Sequence, residues 1–210
     1  MPINVLLAED HQIVRQGLKA LLEREGFKVV GEAANGQEAL QLAETLHPEV
    51  AVLDLAMPLL GGIDAAREIQ RVSPKTKTIL LTMHTDERYI LEGLRAGAKG
   101  YVMKTHAADD LVRAIREAAR GGTYLGPEIS EAVVQAYRNK TEIPVDPLSA
   151  RERQVLQLIA EGNTTKEVAT KLDISVKTAE TYRGRIMEKL DLHMTAGLVH
   201  YAIRRGLVQP

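Results

Sequence analysis

Hydrophobic and polar positions follow two different periods along residues 1–120. Between stretches of helical pattern lie short apolar runs typical of buried strands, at Ile3–Ala8, Lys28–Ala33, Val50–Leu53, Thr78–Leu81 and Gly100–Val102. The helical stretches have apolar residues at the i, i+3, i+4, i+7 spacing, for example Ala39, Leu42, Ala43 and Leu46. Five strand–helix units of this length predict a parallel sheet with helices on both faces.

Polar residues stand where these predicted strands end. Glu9 and Asp10 follow the first strand, Asp54 follows the third, Thr82 the fourth and Lys104 the fifth. The carboxyl ends of parallel strands meet at one edge of the sheet, and binding sites form there where the strand order reverses. Three converging carboxylates repel one another and suit a hard divalent cation such as Mg²⁺. The sequence therefore predicts a divalent-cation site at this edge of the sheet.

The pattern changes after residue 121. The segment GGTYLGP at 121–127 is predicted to break the chain, 128–140 has the stripe of an amphipathic helix, and EIPVDP at 142–147 is typical of an extended tether. These features predict a first domain at 1–121, a linker with a helix at 122–146, and a second domain at 147–210.

The second domain contains a succession of helix starts. Ser149 with Glu152, and Thr164 with Glu167, have the spacing of capping boxes. Ser175 precedes a longer helical pattern at 176–190, and a fourth helix is predicted from about 195 to 205, before Gly206. A short helix, a tight turn and a longer helix form a helix-turn-helix, whose second helix enters the major groove of DNA.

Composition narrows the class of protein. The formal net charge of the chain is −1, yet residues 147–210 carry ten Lys and Arg against seven Asp and Glu, so the second domain is mildly basic. Without cysteine, disulfides and Cys-based zinc sites are excluded. No apolar run approaches the roughly 20 residues that span a bilayer, and MPINVLLAED meets acidic residues too early for a signal peptide. We expect a soluble cytoplasmic protein.

The residues of the first domain resemble a known family. In order and spacing they are similar to the receiver domain of two-component response regulators over about residues 2–120, through Glu9-Asp10, Asp54 with Met57-Pro58 and Gly62, Thr82, and Lys104 after Tyr101. The resemblance implies a flavodoxin-like (CheY-like) α/β fold with a five-stranded parallel sheet. It also implies that Asp54 accepts a phosphoryl group from a sensor histidine kinase. Mg²⁺ would be held by Glu9, Asp10, Asp54 and the backbone carbonyl of Ala56.

The side chains suit this chemistry. A carboxylate such as Asp54 can attack phosphorus, while a cation neutralises charge on the transferred oxygens. Lys104 is a mobile point charge that can pair with one phosphoryl oxygen, and the Thr82 hydroxyl can donate a hydrogen bond to another. The family resemblance makes Thr82 and Tyr101 the switch residues, with the Tyr101 ring turning into space that Thr82 vacates.

Two rival readings of the first domain are disfavoured by single positions. Phosphatases of the haloacid-dehalogenase type carry a second acid two residues after the nucleophile, where this chain has Ala56. A flavin-binding domain needs a phosphate-cradling loop after the first strand, where Glu9 and Asp10 would repel phosphate. His11 is interpreted as an exposed residue at a helix start rather than a metal ligand.

The stretch 148–190 resembles the LuxR-type output domain, so the chain as a whole resembles a NarL/FixJ-family response regulator. The resemblance implies an all-α, four-helix domain. The residues expected to contact DNA are Thr165, Lys166, Lys177, Thr178, Glu180, Thr181, Arg183, Gly184 and Arg185. Those expected to form a dimer contact are Ala196, Val199, Ala202 and Ile203. Glu180 stands at a base-contact position that is often lysine in the family, so its DNA site cannot be copied from a relative.

These observations predict a transcription factor controlled by phosphorylation of Asp54. It would bind double-stranded promoter DNA, form homodimers when phosphorylated or DNA-bound, and have no membrane partner. It is not expected to be an enzyme, since no nucleophile–base pair is visible in the second domain. The alternative is a protein–protein adaptor whose output domain does not bind DNA, and salt-dependent binding to promoter DNA would distinguish the two.

Overall fold

The computed structural model describes residues 2–83, 87–139, 147–205 and 207–208. The chain divides into two compact units, Met1–Ile143 and Pro144–Pro210. Two predicted features lie outside the described residues, namely most of the tether at 142–147 and the helix end at Gly206. No helix in the described ranges is long and apolar enough to cross a bilayer.

The first unit contains the predicted doubly wound sheet. Its strands are β1 (Asn4–Ala8), β2 (Lys28–Ala33), β3 (Val50–Asp54), β4 (Lys77–Thr82), β5 (Gly100–Met103) and β6 (Tyr124–Leu125). The intervening helices are α1 (Gln12–Arg24), α2 (Gly36–Leu46), α3 (Gly62–Val72), α4 (Glu87–Arg95) and α5 (Ala107–Ala119). All strand pairs are parallel, in the order β2-β1-β3-β4-β5-β6. The α/β fold is therefore confirmed, and apolar clusters cover both faces of the sheet.

The sheet has six strands rather than the predicted five. After α5 the chain reverses at Gly121, whose φ is +89°, and β6 then runs beside β5. The Tyr124 amide donates to the Lys99 carbonyl at 2.9 Å, and the Gly126 amide donates to the Tyr101 carbonyl at 3.1 Å. The chain does break at the glycines, as predicted, but the amides of Tyr124 and Gly126 pair with carbonyl groups of Lys99 and Tyr101 along the edge of β5.

The helix predicted within the linker packs on the first unit. It is α6, Pro127–Arg138. Ile129 is fully buried in the same apolar cluster as Leu80 and Tyr101, and Ala132 and Val133 pack against that cluster. The apolar stripe of α6 is therefore covered by the sheet and α4, and the packed unit extends beyond the predicted boundary at residue 121.

Within 147–205, the second unit forms four helices, as predicted. They are α7 (Ala150–Ala160), α8 (Thr165–Lys171), α9 (Val176–Leu190) and α10 (Thr195–Arg204). Both capping boxes are present: Ser149 accepts from the Glu152 amide while the Glu152 carboxylate accepts from the Ser149 amide, and Thr164 and Glu167 do the same. Ser175 caps α9 through the Thr178 amide. These local hydrogen bonds set the start of three of the four helices.

Candidate functional site

The sheet brings the predicted site residues together at the carboxyl ends of its strands. Because β1 pairs with both β2 and β3, the strand order reverses there, and Glu9 after β1 lies beside Asp54 at the end of β3. Thr82 ends β4, and Lys104 follows β5 in a single turn of 3-10 helix. Glu9, Asp54 and Thr82 are all buried. The predicted cluster at the switch point is present in the structure.

Lys104 connects the two most buried acids. Its Nζ lies 2.8 Å from Glu9 Oε2 and 2.8 Å from Asp54 Oδ1. Asp54 is 2% exposed, and its second oxygen, Oδ2, is buried without a hydrogen-bond partner among the described residues. A buried carboxylate oxygen with no donor is costly unless a further positive group reaches it.

The electrostatics of the cluster favour a bound cation. Burial raises the pKa of Asp54 to about 6 against the opposing effect of Lys104, and the charges of Glu9 and Asp10 add to the rise. Burial alone would lower the pKa of Lys104, but Asp54 and Glu9 outweigh it and raise that pKa above its ordinary value. Lys104 therefore stays charged, and its ammonium is shared by the two carboxyl groups of Asp54 and Glu9.

Asp10 and His11 form the rim of the cluster. The Asp10 and His11 side chains are 28% and 62% exposed, and His11 Nδ1 lies 2.8 Å from Asp10 Oδ1. Asp10 raises the pKa of His11, with a smaller contribution from Glu9. One ligand atom from each of Glu9, Asp10 and His11 lies within 4.8 Å of the others. Carboxylate oxygens from Glu9, Asp10 and Asp54, including the unpartnered Oδ2, fit the oxygen preference of Mg²⁺.

The loop after β3 holds Asp54 by close packing. Met57 is buried, and the Leu60 amide donates to the Pro58 carbonyl at 2.8 Å in a tight turn with Leu59 at a φ of +66°. A Cβ at Gly62 would overlap the backbone carbonyl of Asp54. The glycine at the start of α3 is thus required for the helix to approach the acceptor strand so closely.

The predicted switch residues Thr82 and Tyr101 are both inside the first unit. Each is essentially unexposed, and the Tyr101 ring packs beneath α4. A Cβ at Gly93 would lie 2.8 Å from Tyr101 Cε2, so the glycine makes room for the ring. The Tyr101 side chain is therefore fully buried in this structure.

The surface of α9 carries most of the residues predicted to contact DNA. Lys177, Thr178, Glu180, Thr181, Gly184 and Arg185 are exposed, whereas the apolar residues Ala179 and Ile186 are buried. On α8, Lys166 is exposed and Thr165 half-buried. Arg183 is half-buried, and its Nη2 donates to Thr195 Oγ1 at 2.8 Å, so this arginine is tied to α10.

One residue of the predicted dimer contact does not lie on the surface. Ala202 is fully buried in the domain core, on a helix that packs against α7. Ala196 is exposed, and Val199 and Ile203 are half-buried. The prediction for Ala202 was wrong because an apolar stripe on α10 first serves to pack the domain. The other three residues of that prediction, Ala196, Val199 and Ile203, keep some exposure.

The sequence reasoning overlooked Arg15. This residue of α1 donates from Nη1 to the carbonyl oxygen of Glu9 at 2.5 Å, with a longer contact of 3.5 Å to the carbonyl of Asp10. A contact to backbone carbonyls leaves no pairing pattern in the sequence. The only signal was an arginine six residues after a candidate ligand, on a helix that begins at the site.

Comparison with known proteins matches both units. Residues 5–116 match the family described as response regulator receiver domain, and residues 146–202 match the bacterial regulatory proteins of the luxR family. The response regulator UvrY of Escherichia coli strain K12 is 40% identical over 208 residues, covering 98% of this chain and 95% of UvrY. The oxygen regulatory protein NreC of Staphylococcus carnosus is 38% identical over 215 residues, covering 98% of this chain and 99% of NreC.

A solved structure shares the same architecture. It is RcsB from Salmonella enterica serovar Typhimurium, bound to promoter rprA in the presence of the phosphomimetic BeF3-. It is 30% identical, has a TM-score of 0.61, and the match covers 96% of this chain and 98% of that one. The chain described here belongs to the NarL/FixJ family of two-component response regulators, DNA-binding transcription regulators that join a receiver domain to a LuxR-type helix-turn-helix domain.

Proposed function

We propose that Asp54 is the phosphoryl acceptor of this regulator and that its phosphorylation controls DNA binding. The observation that supports it most strongly is the buried Asp54 carboxylate at the switch point, with Oδ1 on Lys104 and Oδ2 without a hydrogen-bond partner in the described part of the chain. A buried carboxylate with one oxygen on an ammonium lies in the surroundings that a phosphoryl acceptor needs, since Lys104 can also pair with the transferred group. The phosphoryl donor is a sensor histidine kinase, as the receiver domain implies.

Each neighbouring residue has one role in this proposal. Glu9, Asp10, Asp54 and the Ala56 carbonyl hold Mg²⁺, which when bound neutralises charge on the phosphoryl oxygens. An Asp54 oxygen forms the bond to phosphorus as the donor's bond to phosphorus breaks. Lys104, already 2.8 Å from Asp54, pairs with a phosphoryl oxygen, and Thr82 donates its hydroxyl to another. The half-buried position of Ala56 near the acceptor is compatible with its carbonyl role.

The exposed face of α9 is the proposed base-reading surface. A relative, RcsB, has been solved on promoter DNA with a phosphomimetic, and another structure contains RcsB dimers on DNA. By analogy, this chain binds promoter DNA in the cytoplasm as a homodimer when it is phosphorylated. The contact between output domains would use the exposed and half-buried residues of α10, Ala196, Val199 and Ile203.

Labelling with a small phosphodonor tests the acceptor. With acetyl phosphate and Mg²⁺, the full-length protein is expected to gain one phosphoryl group by intact-mass measurement, and Asp54→Asn none. Asp64→Asn, which changes another buried carboxylate of the same domain, is the control and should label normally. Phosphorylation should tighten binding to selected promoter fragments by about 5–150-fold, the usual size of an allosteric coupling. Full labelling of Asp54→Asn would identify a different acceptor, and no salt-dependent DNA binding in either state would favour the adaptor.

Glu180 should contribute specificity rather than affinity. A carboxylate on the exposed face of α9 can accept from cytosine N4 but repels phosphate. Glu180→Ala is expected to relax preference at one base pair by about 1–3 kcal/mol, with non-specific binding unchanged or tighter. Binding to a library of single-base variants measures this. A uniform loss of affinity on every sequence would contradict a base-reading role.

A further inference from the structure

The β1–α1 turn, which carries Glu9 and Asp10, is held from behind by one side chain. Arg15 Nη1 donates to the Glu9 carbonyl oxygen at 2.5 Å and lies 3.5 Å from the Asp10 carbonyl oxygen. The Arg15 side chain is only 16% exposed. One guanidinium nitrogen therefore contacts the carbonyl oxygens of both acids, closely for Glu9 and at the distance limit of a hydrogen bond for Asp10, at a partly dry position where such contacts are strong.

Arg15 is itself fixed by an acid on the neighbouring strand. Its Nε lies 3.8 Å from Glu32 Oε2 on β2. The same carboxylate accepts from Lys19 Nζ at 2.5 Å and from Gln16 Nε2 at 2.8 Å, both on α1. Glu32 thus anchors three side chains of α1, and of these Arg15 also contacts the turn that carries the acids.

These contacts set the direction of the turn. The carbonyl oxygens of Glu9 and Asp10 face the guanidinium, and the Glu9 amide donates to the Ala33 carbonyl at 3.1 Å. With both sides of the Glu9 backbone fixed, its carboxylate is confined to the crevice, 2.8 Å from Lys104. We propose that Arg15 is a positioning residue, which orients the Glu9 and Asp10 carboxylates for the divalent cation without contacting it. This rests on the proposed function of the site.

The charge of Arg15 and its contacts with the turn have opposite expected effects on Mg²⁺ affinity. As a cation close to the acid cluster, it repels a divalent ion, so its removal would tighten Mg²⁺ binding if only charge mattered. As an orienting group, its removal frees the two carboxylates and weakens binding. Outer partners of metal ligands typically contribute about 10–100-fold to metal affinity. The sign of the change therefore separates the two roles.

The test is calorimetric titration of the full-length protein with Mg²⁺ alone. Arg15→Met should weaken Mg²⁺ binding by about 10–100-fold. Arg15→Lys keeps the charge, but its single nitrogen cannot contact the turn carbonyls and Glu32 at the same time as Nη1 and Nε of arginine do, so it should also weaken binding. Lys19→Met is the matched control, because it removes a cation from the same Glu32 and leaves the turn intact. The Mg²⁺ affinity of Lys19→Met should differ from that of the unaltered protein by less than about fivefold, the size expected for a solvent-accessible ion pair.

Thermal unfolding without Mg²⁺ accompanies each titration, so a loss of fold is seen directly. If Arg15→Met does not fold, the comparison of Arg15→Lys with Lys19→Met decides. Binding that is unchanged or tighter in the folded Arg15 variants overturns the positioning role while the proposed acceptor site stands. Absence of Mg²⁺ binding by the unaltered protein would overturn the metal site itself, and with it this inference.

Discussion

Asp54→Asn is expected to raise the free energy of unfolding of the receiver by about 3 kcal/mol at pH 7, in the absence of Mg²⁺. The pKa of Asp54 is raised from 3.8 to about 6 in the folded protein, chiefly by burial. The folded state thus binds a proton more tightly than the unfolded state does. Stability contributed by the protonated carboxyl is present at low pH and is lost as the pH rises from about 4 through about 6. A neutral amide avoids this loss.

Denaturant unfolding at two pH values measures the effect. Near pH 4 Asp54 is largely protonated in the folded state, so the advantage of Asp54→Asn should shrink to below about 1 kcal/mol. Asp64→Asn is the control: Asp64 is also buried, but its Oδ1 is paired with Arg67 Nη1, so the change should bring no gain. An equal gain for Asp54→Asn at both pH values would show that charge is not its cause.

Ile129→Ala is expected to destabilise the first unit by about 2–5 kcal/mol, the cost of a large cavity in a packed core. Ile129 is fully buried in the cluster that includes Leu80 and Tyr101, although it lies in a helix predicted to be part of a linker. A freely exposed linker helix would lose almost nothing.

Val134→Ala in the same helix provides the comparison. Val134 is 48% exposed, so its truncation should change stability by less than about 0.5 kcal/mol. Both variants are measured by denaturant unfolding of the full-length chain, following the receiver transition. Equal, small effects would mean that α6 is not held on the sheet in solution.

The parts of this structure that could be predicted from sequence are those with local causes. The capping boxes at Ser149 and Thr164 need only residues three apart, and both are present. The crevice was predictable because Asp54 interrupts an apolar run and parallel strands align their ends. Docking of α6 was not, because an apolar stripe shows that a face is buried without showing what covers it.

The same reasoning explains the error at Ala202 and the omission of Arg15. The apolar stripe on α10 has enough residues to serve both the domain core and a dimer contact. The burial of Ala202 places it in the domain core. Arg15 acts on backbone carbonyls, which every residue possesses. Neither feature can be recognised from the sequence pattern, because both depend on how close two elements come to each other in the folded protein.

Two glycines that pack against the backbone around the loop after β3, Gly36 and Gly62, limit which mutations this site can accept. A Cβ at Gly62 would overlap the Asp54 carbonyl, and a Cβ at Gly36, the first residue of α2, would overlap the Leu60 carbonyl. In both cases the overlapping atom is a backbone carbonyl oxygen, so no flexible side chain can move aside. Both positions are therefore closed to every other amino acid although neither has a functional group. Random mutagenesis that selects for loss of signalling should therefore yield substitutions at Gly36 and Gly62 as well as at Asp54. The glycine substitutions would act by steric overlap, whereas those at Asp54 would remove the reactive group.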